Sequence, residues 1–193
     1  MIKQQSSRPT DDRRKGLAGL IGTGTVLLAV AVMALAAIRL TFRSYLDLVA
    51  VHGASCAPTL VDGEYLIALK LRKGSTSIPR GSIVLICSDG ASMLKRVIGL
   101  PGDDILVRDG RVYINGSPLL ESYLDPRMTW TRQRDWPARA YGSERTALAG
   151  YFVRGDNRDA SADSRSIGPI PADDIAARVW LRIWPISRIT CLN

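Results

Sequence analysis

Residues 16–38 form an unbroken run of 23 uncharged residues rich in Leu, Ala, Val and Ile. As a helix the run is about 34 Å long, enough to cross a hydrocarbon core of ~30 Å. It is apolar on every side, whereas a helix packed on a soluble core keeps a polar face. Arg13, Arg14 and Lys15 precede the run, and only Arg39 and Arg43 follow it before Lys70. That bias predicts an N-terminal cytoplasmic segment 1–15, a transmembrane helix 16–38 and a domain 44–193 on the far side of the membrane. The competing reading is a cleaved signal peptide, for which Ala34-Leu35-Ala36 supplies an A-x-A site. Signal h-regions run to roughly 7–15 residues, so the length favours a retained anchor.

The rest of the chain is mildly basic. The net charge of +8 divides equally, +4 before residue 40 and +4 after it. Beyond residue 39 the lysines are only Lys70, Lys73 and Lys95, and the arginines are dispersed. A nucleic-acid binder would show a dense basic stripe with stacking aromatics. The nearest approach, Arg127, Arg132, Arg134 and Arg139 with Trp130 and Trp136, reads as a solvated loop. No nucleic-acid partner is therefore expected, and the predicted surroundings are membrane lipid and peptide. One histidine and three scattered cysteines cannot build a zinc site of ordinary spacing, and no glycine-rich nucleotide loop is present. Neither a metal nor a cofactor is expected. Cys87 and Cys191 could pair and leave Cys56 free, or all three could be buried thiols. No spacing argument favours a bridge, so buried thiols are the reading adopted.

Past the apolar run, short strands and tight turns dominate. Glu64–Leu71, Ser82–Ser88, Met93–Leu100, Tyr151–Asn157 and Ala176–Trp184 read as strands, and 44–52 as a short mixed lead-in. Asp109-Gly110 between two alternating runs is a hairpin signal. Residues 121–150 read as an extended loop or small insertion. No long soluble helix and no internal repeat is evident. The predicted class is mainly β, an antiparallel sheet domain behind one transmembrane helix.

Three segments carry chemistry: Gly53 with Ser55-Cys56-Ala57-Pro58; Lys95-Arg96-Val97-Ile98-Gly99-Leu100-Pro101-Gly102-Asp103; and Gly155-Asp156-Asn157-Arg158-Asp159-Ala160-Ser161-Ala162-Asp163-Ser164-Arg165. A serine hydroxyl needs a base beside it to act as a nucleophile. His52, three residues before Ser55, would need an unusual local geometry and reads as a histidine of no chemical role. A lysine serves if burial lowers its pKa, because desolvation disfavours the ammonium form. Met93, Lys95 and Val97 share one strand face, which makes Lys95 a candidate for desolvation. Leu94 and Ile98 flank Arg96 on the other face. Periodicity alone does not say which face is buried, and a snorkelling edge-strand lysine fits the same pattern.

Taken together, in this order and after one membrane span, the three segments resemble type I signal peptidases. These are serine–lysine peptidases that remove signal peptides from exported proteins. The resemblance covers about residues 15–188, and the third segment is its most specific part. It implies a signal-peptidase-like β domain outside the bacterial plasma membrane, held by one span with a cytoplasmic N-terminus. It implies Ser55 as nucleophile, Lys95 as general base, and Ser161 as the hydroxyl that hydrogen-bonds and orients the lysine amine. Asp163 and Arg165 match a structural ion pair, and Asp156 and Arg158 support the loop. The Ser55 amide matches one oxyanion donor. Some members add a hydroxyl two residues earlier, where this chain has Gly53, so the second donor is a backbone group or is missing. Two positions depart from the pattern: Cys56 stands where Met is usual beside the substrate cleft, and Ala160 where Asn is common.

The expected function is cleavage of signal-peptide-bearing precursors after small residues, of the Ala-x-Ala type, through an acyl-enzyme. The departures leave room for a dedicated peptidase maturing a pilin or a conjugation-system protein. A catalytically silent tethered relative is the other alternative, and intact Ser55, Lys95 and Ser161 speak against it. A cytoplasmic self-cleaving repressor-type protein is disfavoured by the anchor and by the lack of N-terminal DNA-binding helices.

Overall fold

The computed structural model describes residues 10–74, 77–88, 90–124 and 148–192, with side chains from residue 24 onward. It divides into two units, Met1–Ser44 and Tyr45–Asn193. Among its described residues the first holds one helix, α1 (Thr10–Tyr45), which ends at the start of the second. Within it, Gly24–Tyr45 is long and apolar enough to cross a membrane. Val26, Leu27, Leu28, Val30, Val32, Met33, Leu35 and Ile38 are all exposed. Uncovered apolar side chains around the whole circumference suit lipid and not water. The span expected at 16–38 lies inside α1.

The second unit is built from short strands: β1 (Leu46–Ala50), β2 (Tyr65–Lys70), β3 (Ile83–Ser88), β4 (Ala91–Gly99), β5 (Ile105–Arg108), β6 (Arg111–Ile114), β7 (Ser117–Pro118), β8 (Phe152–Arg154), β9 (Ile175–Trp184) and β10 (Thr190–Cys191). Seven form one sheet in the order β1-β2-β9-β3-β4-β8, with β10 on β9. All its pairings are antiparallel. The hairpin expected at Asp109-Gly110 joins β5 to β6, with β7 completing a three-stranded sheet. Both turn residues have positive φ, 47° and 77°, the conformation that a two-residue turn matching strand twist requires. The mainly antiparallel β class is the one expected. The mixed stretch 44–52 proves to hold a strand, β1, which sequence reading left unassigned. Its Val49 is buried while Leu48 on the opposite face is exposed, so hydropathy does not alternate along it. Most of the loop expected at 121–150, including the Arg/Trp cluster, lies outside the described residues.

The core has three parts. One face of the large sheet gathers Val49, Leu60, Leu66, Ala68, Ile83, Leu94, Ala177 and Val179. Across β3 and β4 a second cluster holds Val84, Ile86, Val97, Tyr151, Val153 and Ile175. Ile98, Phe152 and Leu148 pack with Ile105, Val107 and Val112 of the small sheet. β4 contributes to all three, so Leu94 to Gly99 are buried without a break. The face left open by periodicity is settled by burial of both. A bulge opposite Leu85 and Ile86 lets Ile175 and Ala177, two residues apart on β9, serve different clusters.

Candidate active site

The loop between β1 and β2 is tied down at both ends. The Val51 amide donates to the Glu64 carbonyl (2.8 Å), and Gly63 donates back to Val51 (3.0 Å). Gly53 takes φ +80°, and its amide donates to Asp62 Oδ1 at 2.7 Å. This closed loop presents Ser55, whose Oγ lies 3.1 Å from Lys95 Nζ on β4. Lys95 is only 4% exposed. Burial therefore lowers its pKa below the ordinary lysine value, opposed by the nearby Cys56 and Asp163. Met93 and Val97, on the same face, pack in one apolar cluster. A lysine set in an apolar row beside a serine hydroxyl fits deprotonation of that serine better than it fits a snorkelling edge residue. His52 is exposed.

The third motif folds back against this pair. The Ser55 carbonyl accepts the Asn157 amide at 3.0 Å. Gly155 passes so close that a Cβ there would lie 2.3 Å from both the Ser55 carbonyl oxygen and Ser161 Oγ. Ser161 thus reaches the site, but its buried Oγ makes no hydrogen bond. The bond to the lysine amine that the resemblance implied is not formed, and Ser55 Oγ is the amine's partner. Asp163 accepts from Arg165 in a bidentate pair (2.8 and 2.9 Å), and its Oδ2 also takes the Gly155 amide at 3.1 Å. These donors hold its carboxyl below the usual range against the effect of burial. Asp163 also caps a single helical turn, α2 (Ser164–Ile167).

Sequence reading missed what lies beneath. Arg96, next to the lysine, is buried and forks onto Asp156 at 2.8 and 2.6 Å. Its guanidinium lies over the Tyr123 ring, 4.1 Å from the centroid. Arg158 pairs with Glu121, which also accepts from Tyr123. An alternating strand pattern marks Arg96 as interior or exterior, but no local signal couples Arg158 to a glutamate 37 residues away.

A cleft of about 140 Å³ opens beside Ser55, between Val49–Gly53 on one wall and Ser92–Leu94 on the other, with Leu85 at its side. Cys56 touches it but is only 3% exposed, and its thiol is turned into the core beside Leu60, Leu66 and Leu94. The expected trio of buried thiols is corrected: all three cysteines are free, but Cys87 and Cys191 are exposed. Both stand on strands whose outward positions face solvent. Gly53 lacks a hydroxyl, and its amide is already given to Asp62, so it offers no oxyanion donor in this geometry. Among the described residues, no group of three or more His, Cys, Asp or Glu could hold a metal ion.

Residues 23–184 match the family model described as signal peptidase, peptidase S26. A probable signal peptidase I-2 of Synechocystis sp. is 33% identical over 151 residues, covering 74% of this chain and 65% of its own length. A signal peptidase I of Bacillus licheniformis is 35% identical over 175 residues, 85% of this chain and 88% of that one. A crystal structure of a signal peptidase I from Enterococcus faecalis V583 covers 54% of this chain and 98% of its own, at 32% identity and a TM-score of 0.43.

Proposed function

The chain belongs to the signal peptidase family, peptidase S26, a family of serine peptidases, and on that premise we propose that it cleaves exported precursors by a Ser55–Lys95 dyad. The observation that carries the reading is the 3.1 Å approach of a buried lysine amine to a serine hydroxyl at the edge of a cleft. Neutral Lys95 takes the Ser55 proton as Oγ attacks the scissile carbonyl. The Ser55 amide stabilises the oxyanion. Collapse expels the amine of the mature protein, which takes the proton back from Lys95, and leaves an ester on Ser55. Lys95, neutral again, then takes a proton from water as it attacks that ester, and returns the proton to Ser55 Oγ as the acid product leaves.

Substrate enters as an extended strand. The cleft runs between two backbone segments, so main-chain hydrogen bonds can supply affinity while alternate side chains are selected. Its lining of Val49, Ala50, Val51, Leu85 and Met93 is apolar, which suits small apolar side chains such as those of an Ala-x-Ala site. Asp163 and Arg165 support the loop under the dyad. Arg13, Arg14 and Lys15, ahead of the apolar stretch of α1, favour a cytoplasmic N-terminus with the β unit across the membrane.

The test is incubation of the purified full chain in detergent with a precursor bearing an A-x-A site. Wild type yields the mature protein and Ser55→Ala does not. Cleavage by Ser55→Ala at the wild-type rate would sink the proposal.

A further inference from the structure

The dyad joins two elements distant in sequence, and its geometry depends on what fixes the β1–β2 loop to β4. Val97 exchanges backbone bonds with Gly81 and Ser82 on the β3 side. Alternation along the strand therefore turns the Leu94 carbonyl toward the opposite edge. β8 covers that edge only at Arg96 and beyond, since its pairing starts with Arg96↔Arg154. The Leu94 carbonyl is a buried acceptor that the sheet does not satisfy, and leaving such a group unmade is costly. The Cys56 thiol takes it: Sγ donates to the Leu94 oxygen at 3.1 Å. The residue after the candidate nucleophile is thus bonded to the residue before the candidate base.

We infer that Cys56 is a positioning residue, whose thiol clamps the nucleophile loop to β4 and so sets the distance between Ser55 Oγ and Lys95 Nζ. The inference rests on the dyad reading and deepens it. The clamp works only with the proton on sulfur, because a thiolate cannot donate. Burial first, and then the Asp156 carboxylate, push the Cys56 thiol up, so it stays protonated. At 3% exposure, little of its surface is open to oxidants. The bulky side chain usual at this position has no donor, so the contact is particular to the cysteine.

The test compares Cys56→Ala, which loses the donor, with Cys56→Ser, which keeps one of shorter reach, in the full chain. Lys95→Ala serves as the control for the dyad. Cys56→Ala should lower kcat about tenfold at unchanged KM, because small displacements of reacting groups are expensive. Cys56→Ser should recover most of kcat. If Cys56→Ala does not fold, Cys56→Val refills the space without a donor and carries the same expectation. A donor-less variant with wild-type kcat overturns the inference, as does Cys56→Ser being as slow as Cys56→Ala. Those results leave the dyad standing if Lys95→Ala is inactive. An active Lys95→Ala overturns the dyad and the inference with it.

Discussion

Gly155→Ala tests the site from the side that has no chemistry of its own. Gly155 lies in the turn after β8, and the added Cβ would fall 2.3 Å from the Ser55 carbonyl oxygen, 2.3 Å from Ser161 Oγ and 2.5 Å from Ser161 Cβ. Ordinary contact begins near 3.4 Å. The hydroxyl can rotate, but the Ser55 carbonyl is backbone and already accepts the Asn157 amide. Relief therefore requires the Ser55 backbone and the Gly155 turn to separate by about 1 Å. A shift of that size in a reacting group costs on the order of 10²-fold in rate, and overpacking costs about 1–3 kcal/mol of stability. Gly99→Ala is the control. Its Cβ would meet the side chains of Ile105 and Leu148, a flexible apolar contact away from the dyad. In a precursor-cleavage assay with urea melts run in parallel, both variants should lose stability, but only Gly155→Ala should lose kcat by about a hundredfold. Wild-type kcat in a folded Gly155→Ala would refute the coupling of the third motif to Ser55.

Four further outcomes are expected. Lys95→Arg should lose on the order of 10³-fold or more in kcat, because a guanidinium stays protonated and cannot take the serine proton; a rate near wild type removes Lys95 as base. In wild type, kcat/KM should rise with pH and level off below the ordinary lysine range, since burial lowers the amine's pKa and the proposed dyad needs it neutral; a profile with no acid limb contradicts this. Asp156→Ala should cost about 3–5 kcal/mol in a denaturant melt by stranding the buried Arg96 charge, and a loss below about 1 kcal/mol would show that the pair carries little. In sealed vesicles with the native cytoplasmic side outward, external protease should spare residues 40–193, and their digestion would reverse the assigned orientation.

How much of this was legible follows from what each residue interacts with. Strands whose burial alternates or is complete, such as β3 and β9, announce themselves through period-two hydropathy, and the Asp109-Gly110 turn through its conformational demand. β1 escaped because Leu48 is exposed on one face while Val49 is buried on the other, and hydropathy cannot tell such faces apart. Lys95 was readable as a desolvated candidate because Met93 and Val97 flank it on one face. The Arg96–Asp156 and Arg158–Glu121 pairs were not readable, since charge pairing across 60 and 37 residues depends on the closed fold. Cys56 was read as a change in the cleft. Its thiol points instead to Leu94, a contact set by where β8 stops.

The Asp163–Arg165 pair acquires a function from the same geometry. A base lysine must be buried to lose its proton, and burial strengthens every nearby charge. The Asp163 carboxylate favours the protonated amine, opposing the burial that lowers the Lys95 pKa. The motif needs Asp163 all the same, because that carboxylate holds the Gly155 amide and caps α2. Arg165 reconciles the two demands. Its fork covers both carboxylate oxygens, and its Nη2 also donates to the Arg158 carbonyl. The loop keeps its anchor, and the buried carboxylate has a counter-charge within hydrogen-bond distance. A fixed guanidinium suits this role, since it stays charged at any pH where the lysine works. The arginine at the end of the third motif thus anchors the carboxylate that holds the Gly155 turn, without touching the reacting atoms.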